Sequence, residues 1–236
     1  MRIAIIAAMV EEVKPLREKL ENKKTIKIAN AIFDQGFLDG NDVVLVQSRI
    51  GKANAAMSTA ILIERFAPDF IINTGSAGGM DRSLSIGDIV VSTESIFSDV
   101  DATIFNYALG QVPEMPASYK VDTKYIKLAL AVFKKMKTNK KMECGLILTA
   151  DSFMSNKKRV ENIRKHFPTA KASEMEGAAI HQTAYHYDIP FINIRSLSDI
   201  AGENAGSDFE ENVDFAAESA MHFVENYVDE LVKIGK

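Results

Sequence analysis

Apolar and polar residues along this chain alternate between a strand-like and a helix-like period, and each switch marks an element. Residues 2–8 (RIAIIAA) are an apolar run with β-branched side chains, and over 11–21 Val13, Leu16 and Leu20 fall at helical spacing. A strand leading straight into a helix is expected. Segments 31–38 and 42–48 flank Asp39-Gly40-Asn41, a turn-rich triplet, and predict a hairpin. An Ala-rich helix over 52–66 precedes a buried-strand candidate at 69–74 (DFIINT). That strand runs into Gly75-Ser76-Ala77-Gly78-Gly79, read as a loop whose small residues let backbone approach a ligand closely.

Further strands are expected over 87–95, 143–149, 170–173 and 190–197, and helices over 122–136, 156–166 and 177–187. A long helix over 208–232 carries Phe209, Val213, Ala216, Ala220, Phe223, Tyr227 and Leu231 along one side. Residues 98–116, with Gly110, Pro113 and Pro116, read as a long irregular loop, a feature more often functional than idle. There is no repeat, low-complexity tract or linker. The pattern is that of a single α/β domain over 1–236, with helices on both faces of a mixed sheet.

Composition narrows the function. With 236 residues, 47% of them hydrophobic, the chain can bury a sizeable core. A net charge of −4 with dispersed Lys and Arg provides no basic stripe for a nucleic acid. No apolar run approaches the ~20 residues needed to cross a bilayer, and no membrane partner is expected. Cys144 is the one cysteine and has no intrachain disulfide partner, and the first residues turn acidic too soon for a signal peptide. A cytoplasmic location is expected.

Acidic residues recur just past the expected strands, where open α/β sheets gather functional groups. Glu12 follows the first strand, Glu174 and Glu176 the strand at 170–173, and Asp199 the strand at 190–197. Each has a plainer reading. Glu11 and Glu12 open a helix, where carboxylates complement the macrodipole, and Asp199 suits an N-cap or turn. Within Ser173-Glu174-Met175-Glu176-Gly177, one of the two acids is expected to face inward, where a carboxylate suits a ribose diol; Met175 is as readily ordinary core. The four histidines lie on expected helices without metal-ligand spacing, so no metal is indicated. The glycines at 75–79 match neither a dinucleotide fingerprint nor a P-loop, no cofactor is expected, and Ser76 lacks the flanks of a nucleophile elbow.

Taken together, IIAAMVEEV at 5–13, IGKANAA at 50–56, INTGSAGG at 72–79, GDIVVS at 87–92, ADSF at 150–153, SEMEGAAI at 173–180 and RSLSD at 195–199 resemble the purine nucleoside phosphorylase-like superfamily. Within it they are most similar to the 5′-methylthioadenosine/S-adenosylhomocysteine nucleosidase family, over nearly the whole chain. The resemblance implies a three-layer αβα sandwich with a central mixed, partly barrel-like sheet. It implies hydrolysis of an N-glycosidic bond to release adenine, with Asp199, aided by Ser198, as general acid and Glu12 activating the attacking water. Glu176 would bind the ribose hydroxyls beside Met175, Phe153 would stack on adenine, and backbone around Met154 would read the base edge. Ser76, Gly78 and Arg195 would line the ribose and catalytic region, and Met9, Ile50 and Phe209 an apolar slot for the 5′ substituent. Phe105 and Pro113 would close the slot of a neighbouring subunit, which implies a homodimer.

Three rivals remain at this level. A phosphorylase of the same fold carries a glycine and arginine phosphate loop after the first strand, whereas residues 7–13 here hold Glu12 and no arginine, although Arg49 places a cation near Ile50. A hydrolase of a related adenine nucleoside, such as 6-amino-6-deoxyfutalosine, would share the carboxylates. A non-catalytic binding protein of this fold need not keep all three acids.

Overall fold

The computed structural model describes residues 1–234; the last two positions of the domain expected over 1–236 lie outside the described residues. In chain order the elements are β1 (Ile3–Ala7), α1 (Val10–Lys19), β2 (Glu21–Ile28), β3 (Ala31–Leu38), β4 (Asn41–Gln47), α2 (Lys52–Phe66), β5 (Phe70–Gly79) and β6 (Ile89–Phe97). They continue with β7 (Tyr119–Lys120), α3 (Thr123–Lys135), β8 (Met142–Thr149), α4 (Lys157–His166), β9 (Ala170–Glu174), α5 (Gly177–His186), β10 (Phe191–Ile200) and α6 (Ala205–Ile234).

β5 organises the sheet because its two halves keep different neighbours. Its first residues, Phe70–Asn73, pair in parallel with β1, and from there β4, β3 and β2 extend the sheet to one side. Its last residues, Gly78 and Gly79, pair instead with Ser173 and Ala172 of β9, antiparallel. β10 runs parallel to β5 along almost its whole length. β10 in turn pairs with β6, β6 with β8, and β8 with β9. The five strands β5, β10, β6, β8 and β9 therefore close into a ring, and the sheet is partly a barrel.

The period of two sorts the apolar residues into layers. In β1, Ile3 and Ile5 face one core layer with Val13 and Leu16 of α1, Ala129 and Val132 of α3, and Phe223, Tyr227 and Leu231 of α6. Ala4 and Ile6 face the other, with Leu62 and Phe66 of α2 and Ala178 and Ile180 of α5. A strand covered on both faces reads as a continuous apolar run, as β1 does. Inside the ring Ala77, Val90, Ile147, Ala172 and Leu197 form a small core of their own.

Three strands differ from the pattern expected of them. Residues 75–79 are strand, not loop: they continue β5 and stay paired with β10. β2 (ENKKTIKI) was invisible to periodicity because it is a polar edge strand. Its lysines Lys23, Lys24 and Lys27 are of the type that guards an exposed edge against pairing. β10 also runs further than expected, to Ile200, with a register shift between Leu197 and Asp199.

α6 is held by apolar packing centred on Phe223, which is fully buried. Phe223→Ala is expected to cost about 3–5 kcal/mol, read as a lowered urea midpoint; a wild-type midpoint would show that this layer does not hold α6.

Candidate active site

Where β5 is handed from β1 to β9, its neighbours leave a cavity of about 320 Å³. The floor comes from β5 and β10, the walls from the starts of α1, α5 and α6 and from the segment after β8. Among the residues singled out from sequence, Glu12, Ser76, Gly78, Glu176, Arg195, Ser198 and Asp199 line it, as do Met9, Ile50, Phe153, Met154, Met175 and Phe209. Phe105 and Pro113 do not; Phe105 is 72% exposed on the surface of the chain.

Glu12 sits in the first turn of α1, and its carboxylate turns back toward the sheet. The N–H groups of Ala8 and Met9 donate to its Oε2, both at 3.0 Å. The N–H and hydroxyl of Ser76 donate to its Oε1, both at 2.9 Å. Four donors on two oxygens suit an anion, which is acceptor only. Gly75 makes this possible: its φ of +136° favours glycine, and a Cβ there would strike the Glu12 carboxylate.

Asp199 has a different environment. The register shift at Ser198 re-aims it within β10, as bulges beside active sites do. Its side chain leans over Gly78, where an added Cβ would lie 3.0 Å from Oδ2. The Ser198 hydroxyl donates to its Oδ1 at 2.8 Å. Burial disfavours the charged form, and the pKa of Asp199 rises from 3.8 to about 6 despite the Ser198 hydrogen bond.

Both acids of the 173–177 segment are buried, where one was expected to face inward. They do different work. Glu174 accepts from the N–H groups of Glu176 and Gly177 at the start of α5, at 2.9 and 2.7 Å, and from the Thr149 hydroxyl. It also pairs with Arg195 at 2.7 Å. Arg195, 1% exposed, donates further to Asn193, Asn73 and the Ser76 carbonyl. The guanidinium therefore holds the walls together. Glu176 keeps a freer carboxylate, bonded to the Gly51 N–H at 2.9 Å and 3.6 Å from Arg195. Burial and the neighbouring charge of Glu174 push its pKa up, and Arg195 only partly opposes them.

The remaining walls are apolar. Phe153, 41% exposed, meets Phe209 edge to face at 5.5 Å and leaves ring surface open to a flat ligand. Met154 is buried, its carbonyl accepting from Gly202 N–H at 2.8 Å. Asp151 accepts from the N–H of Lys52, and Asp99 accepts from both the Lys52 ammonium and the Asp151 N–H. This clamp ties the segment carrying Phe153 to Gly51, and hence to Glu176. Arg49 turns away: its Nε donates to the Asn30 carbonyl and it does not line the cavity.

Sequence reasoning did not assign Glu174, Asn73, Asn193, Asp99 or Asp151. The asparagines carried a signal, each being a lone amide within an apolar strand, in FIIN and FIN. They are paired in register across β5 and β10.

Residues 2–233 match the phosphorylase superfamily, and the chain belongs to it. A 5′-methylthioadenosine/S-adenosylhomocysteine nucleosidase of Anoxybacillus flavithermus is 51% identical, the match covering 99% of this chain and all of that one. The crystal structure of such a nucleosidase from Colwellia psychrerythraea, in complex with adenine, superposes with a TM-score of 0.95 at 47% identity, covering 98% of this chain and 96% of that one. A Neisseria meningitidis nucleosidase in complex with methylthio-immucillin-A gives 0.93 at 43% identity, covering 96% and 98%. Within the superfamily, the chain's place is among the 5′-methylthioadenosine/S-adenosylhomocysteine nucleosidases.

Two outcomes test this geometry. Carboxyl carbon-13 NMR should show Asp199 titrating near pH 6, so that it withdraws stability as pH rises from about 3.8 through about 6. A midpoint near 4 would contradict its desolvation. Gly75→Ala should strain β5 and press on the Glu12 carboxylate at a cost of about 1–3 kcal/mol, read as a lowered melting temperature; a wild-type melting temperature would show that the close approach is unnecessary.

Proposed function

We propose that this chain hydrolyses the N-glycosidic bond of 5′-methylthioadenosine and S-adenosylhomocysteine, and also of 5′-deoxyadenosine, releasing adenine and the free 5-substituted sugar. The observation that carries this reading is the contrast between two carboxyl groups facing one cavity. Glu12 is surrounded by four donors, and Asp199 is desolvated with its pKa raised to about 6.

Breaking the bond builds positive charge on the sugar and negative charge on the departing base, so one carboxyl group must give a proton while the other takes one. Asp199, oriented by Ser198, protonates the purine at N7. Glu12 takes a proton from the attacking water. Three of its four donors are backbone N–H groups, fixed by the chain; the Ser76 hydroxyl is the one that rotates, and the water takes its place. Acid and base then act from opposite sides of the sugar, as in inverting glycoside hydrolysis.

Glu176 accepts hydrogen bonds from the ribose 2′ and 3′ hydroxyls, which favour its ionised form against the burial that disfavours it. Phe153 stacks on adenine, and backbone beside Met154 contacts its N1 edge. A thioether suits the slot of Met9, Ile50 and Phe209 because it is apolar. Phe105 and Pro113, placed outside their own chain's cavity, close the slot of a second copy, and the working unit is a homodimer in the cytoplasm.

Phosphorolysis finds less support. Among the described residues the cavity lining holds one cation, Arg195, already engaged by Glu174, Asn73, Asn193 and the Ser76 carbonyl, which leaves no free cation there to hold a phosphate. The related substrate 6-amino-6-deoxyfutalosine shares the base and ribose contacts and differs at the 5′ slot.

Incubation with 5′-methylthioadenosine, with and without phosphate, tests the reading. Adenine and free methylthioribose are expected without phosphate; methylthioribose 1-phosphate, formed only with it, would make the protein a phosphorylase. Glu12→Gln and Asp199→Asn should each reduce turnover by about 10²–10⁴ while keeping the circular dichroism spectrum of the folded wild type. Near-normal rates in either variant would sink the mechanism.

A further inference from the structure

Ser173 lines the cavity, and nothing above uses its side chain. The residue is 4% exposed, and its Oγ has no hydrogen-bond partner. Buried hydroxyls are nearly always paired, because leaving one unpaired forfeits its hydrogen bonds to water. Of the buried side-chain atoms left unpaired among the described residues, this is the only one belonging to a cavity-lining residue. The others, such as Thr74 Oγ1 and Ser196 Oγ, belong to residues away from the lining.

Its place in the sheet indicates what the partner is. Ser173 pairs across β9 and β5 with Gly78, and Gly78 pairs across β5 and β10 with Asp199. Residues paired side by side across a sheet project to the same face. Gly78 has no side chain, so the row is a flat floor with a carboxyl group on one flank and a hydroxyl on the other. Two strand spacings separate the flanking backbones by about 9–10 Å, enough for a purine ring lying between side chains.

We propose that Ser173 is a specificity-determining contact to the purine, its hydroxyl donating to N3. The inference rests on the hydrolase reading. On that reading Asp199 protonates N7, and backbone beside Met154 contacts N1. N3 is the ring acceptor left over, and it faces away from N7 across the ring, as Ser173 faces Asp199 across Gly78. A turn about χ1 is all the hydroxyl needs, since none of the described residues holds it.

The test compares wild type and Ser173→Ala on 5′-methylthioadenosine and on its 3-deaza analogue, in which C–H replaces N3. Ser173→Ala should raise KM for the natural nucleoside about fivefold, the worth of one neutral hydrogen bond, and leave KM for the 3-deaza analogue as in wild type. Equal losses on both substrates would assign Ser173 a merely structural role and overturn the contact, as would no loss on either. Failure of wild type to cleave 5′-methylthioadenosine would instead overturn the hydrolase reading. In that case calorimetric binding of adenine and 3-deazaadenine to the same two proteins tests the Ser173 contact separately, with the same differential expected.

Discussion

The buried ion pair between Arg195 and Glu174 is the constraint on which the cavity depends. A guanidinium that is 1% exposed is tolerated only with its donors occupied, and here they reach β5, β9 and β10 through Ser76, Asn73, Glu174 and Asn193. Glu174 carries the same anchorage to the first N–H groups of α5, and so fixes where Glu176 sits. Removing one partner would leave an uncompensated charge inside the protein, a loss of about 3–5 kcal/mol for pairs of this kind. Position of the site and stability of the ring therefore rest on one interaction.

On that frame the small residues of β5 determine what the carboxyl groups can do. Gly75 leaves room for Glu12, and Gly78 leaves room for Asp199. The two acids then differ in their donors and in how far Asp199 is desolvated. Glu12 is met by four, and Asp199 by a single hydroxyl in a desolvated place. On the proposed reading the first accepts a proton and the second gives one, the division that cleavage of a glycosidic bond requires.

Much of this was legible in the chain, and the misses have physical causes. β1 and the apolar seam of α6 declare themselves because burial imposes a period. β2 does not, because an edge strand faces water and shows no alternation. The glycines at 75–79 read as a loop from composition, yet they are small because side chains crowd onto a strand from both sides. Glu12, Glu176 and Asp199 were visible as acids at strand ends. Glu174 was not separable from Glu176, since a structural carboxylate and a ligand-facing one look alike until their donors are known. Phe105 and Pro113 fall outside the cavity of their own chain, so a single sequence places them only through resemblance.

The central claim is that water, activated at Glu12, attacks the sugar as Asp199 protonates the base. Turnover of 5′-methylthioadenosine in oxygen-18 water, with mass analysis of both products before the sugar exchanges with solvent, tests it most directly. One labelled oxygen at C1 of methylthioribose and none in adenine is the predicted result. A sugar released without label, or label found in the base, would contradict the account.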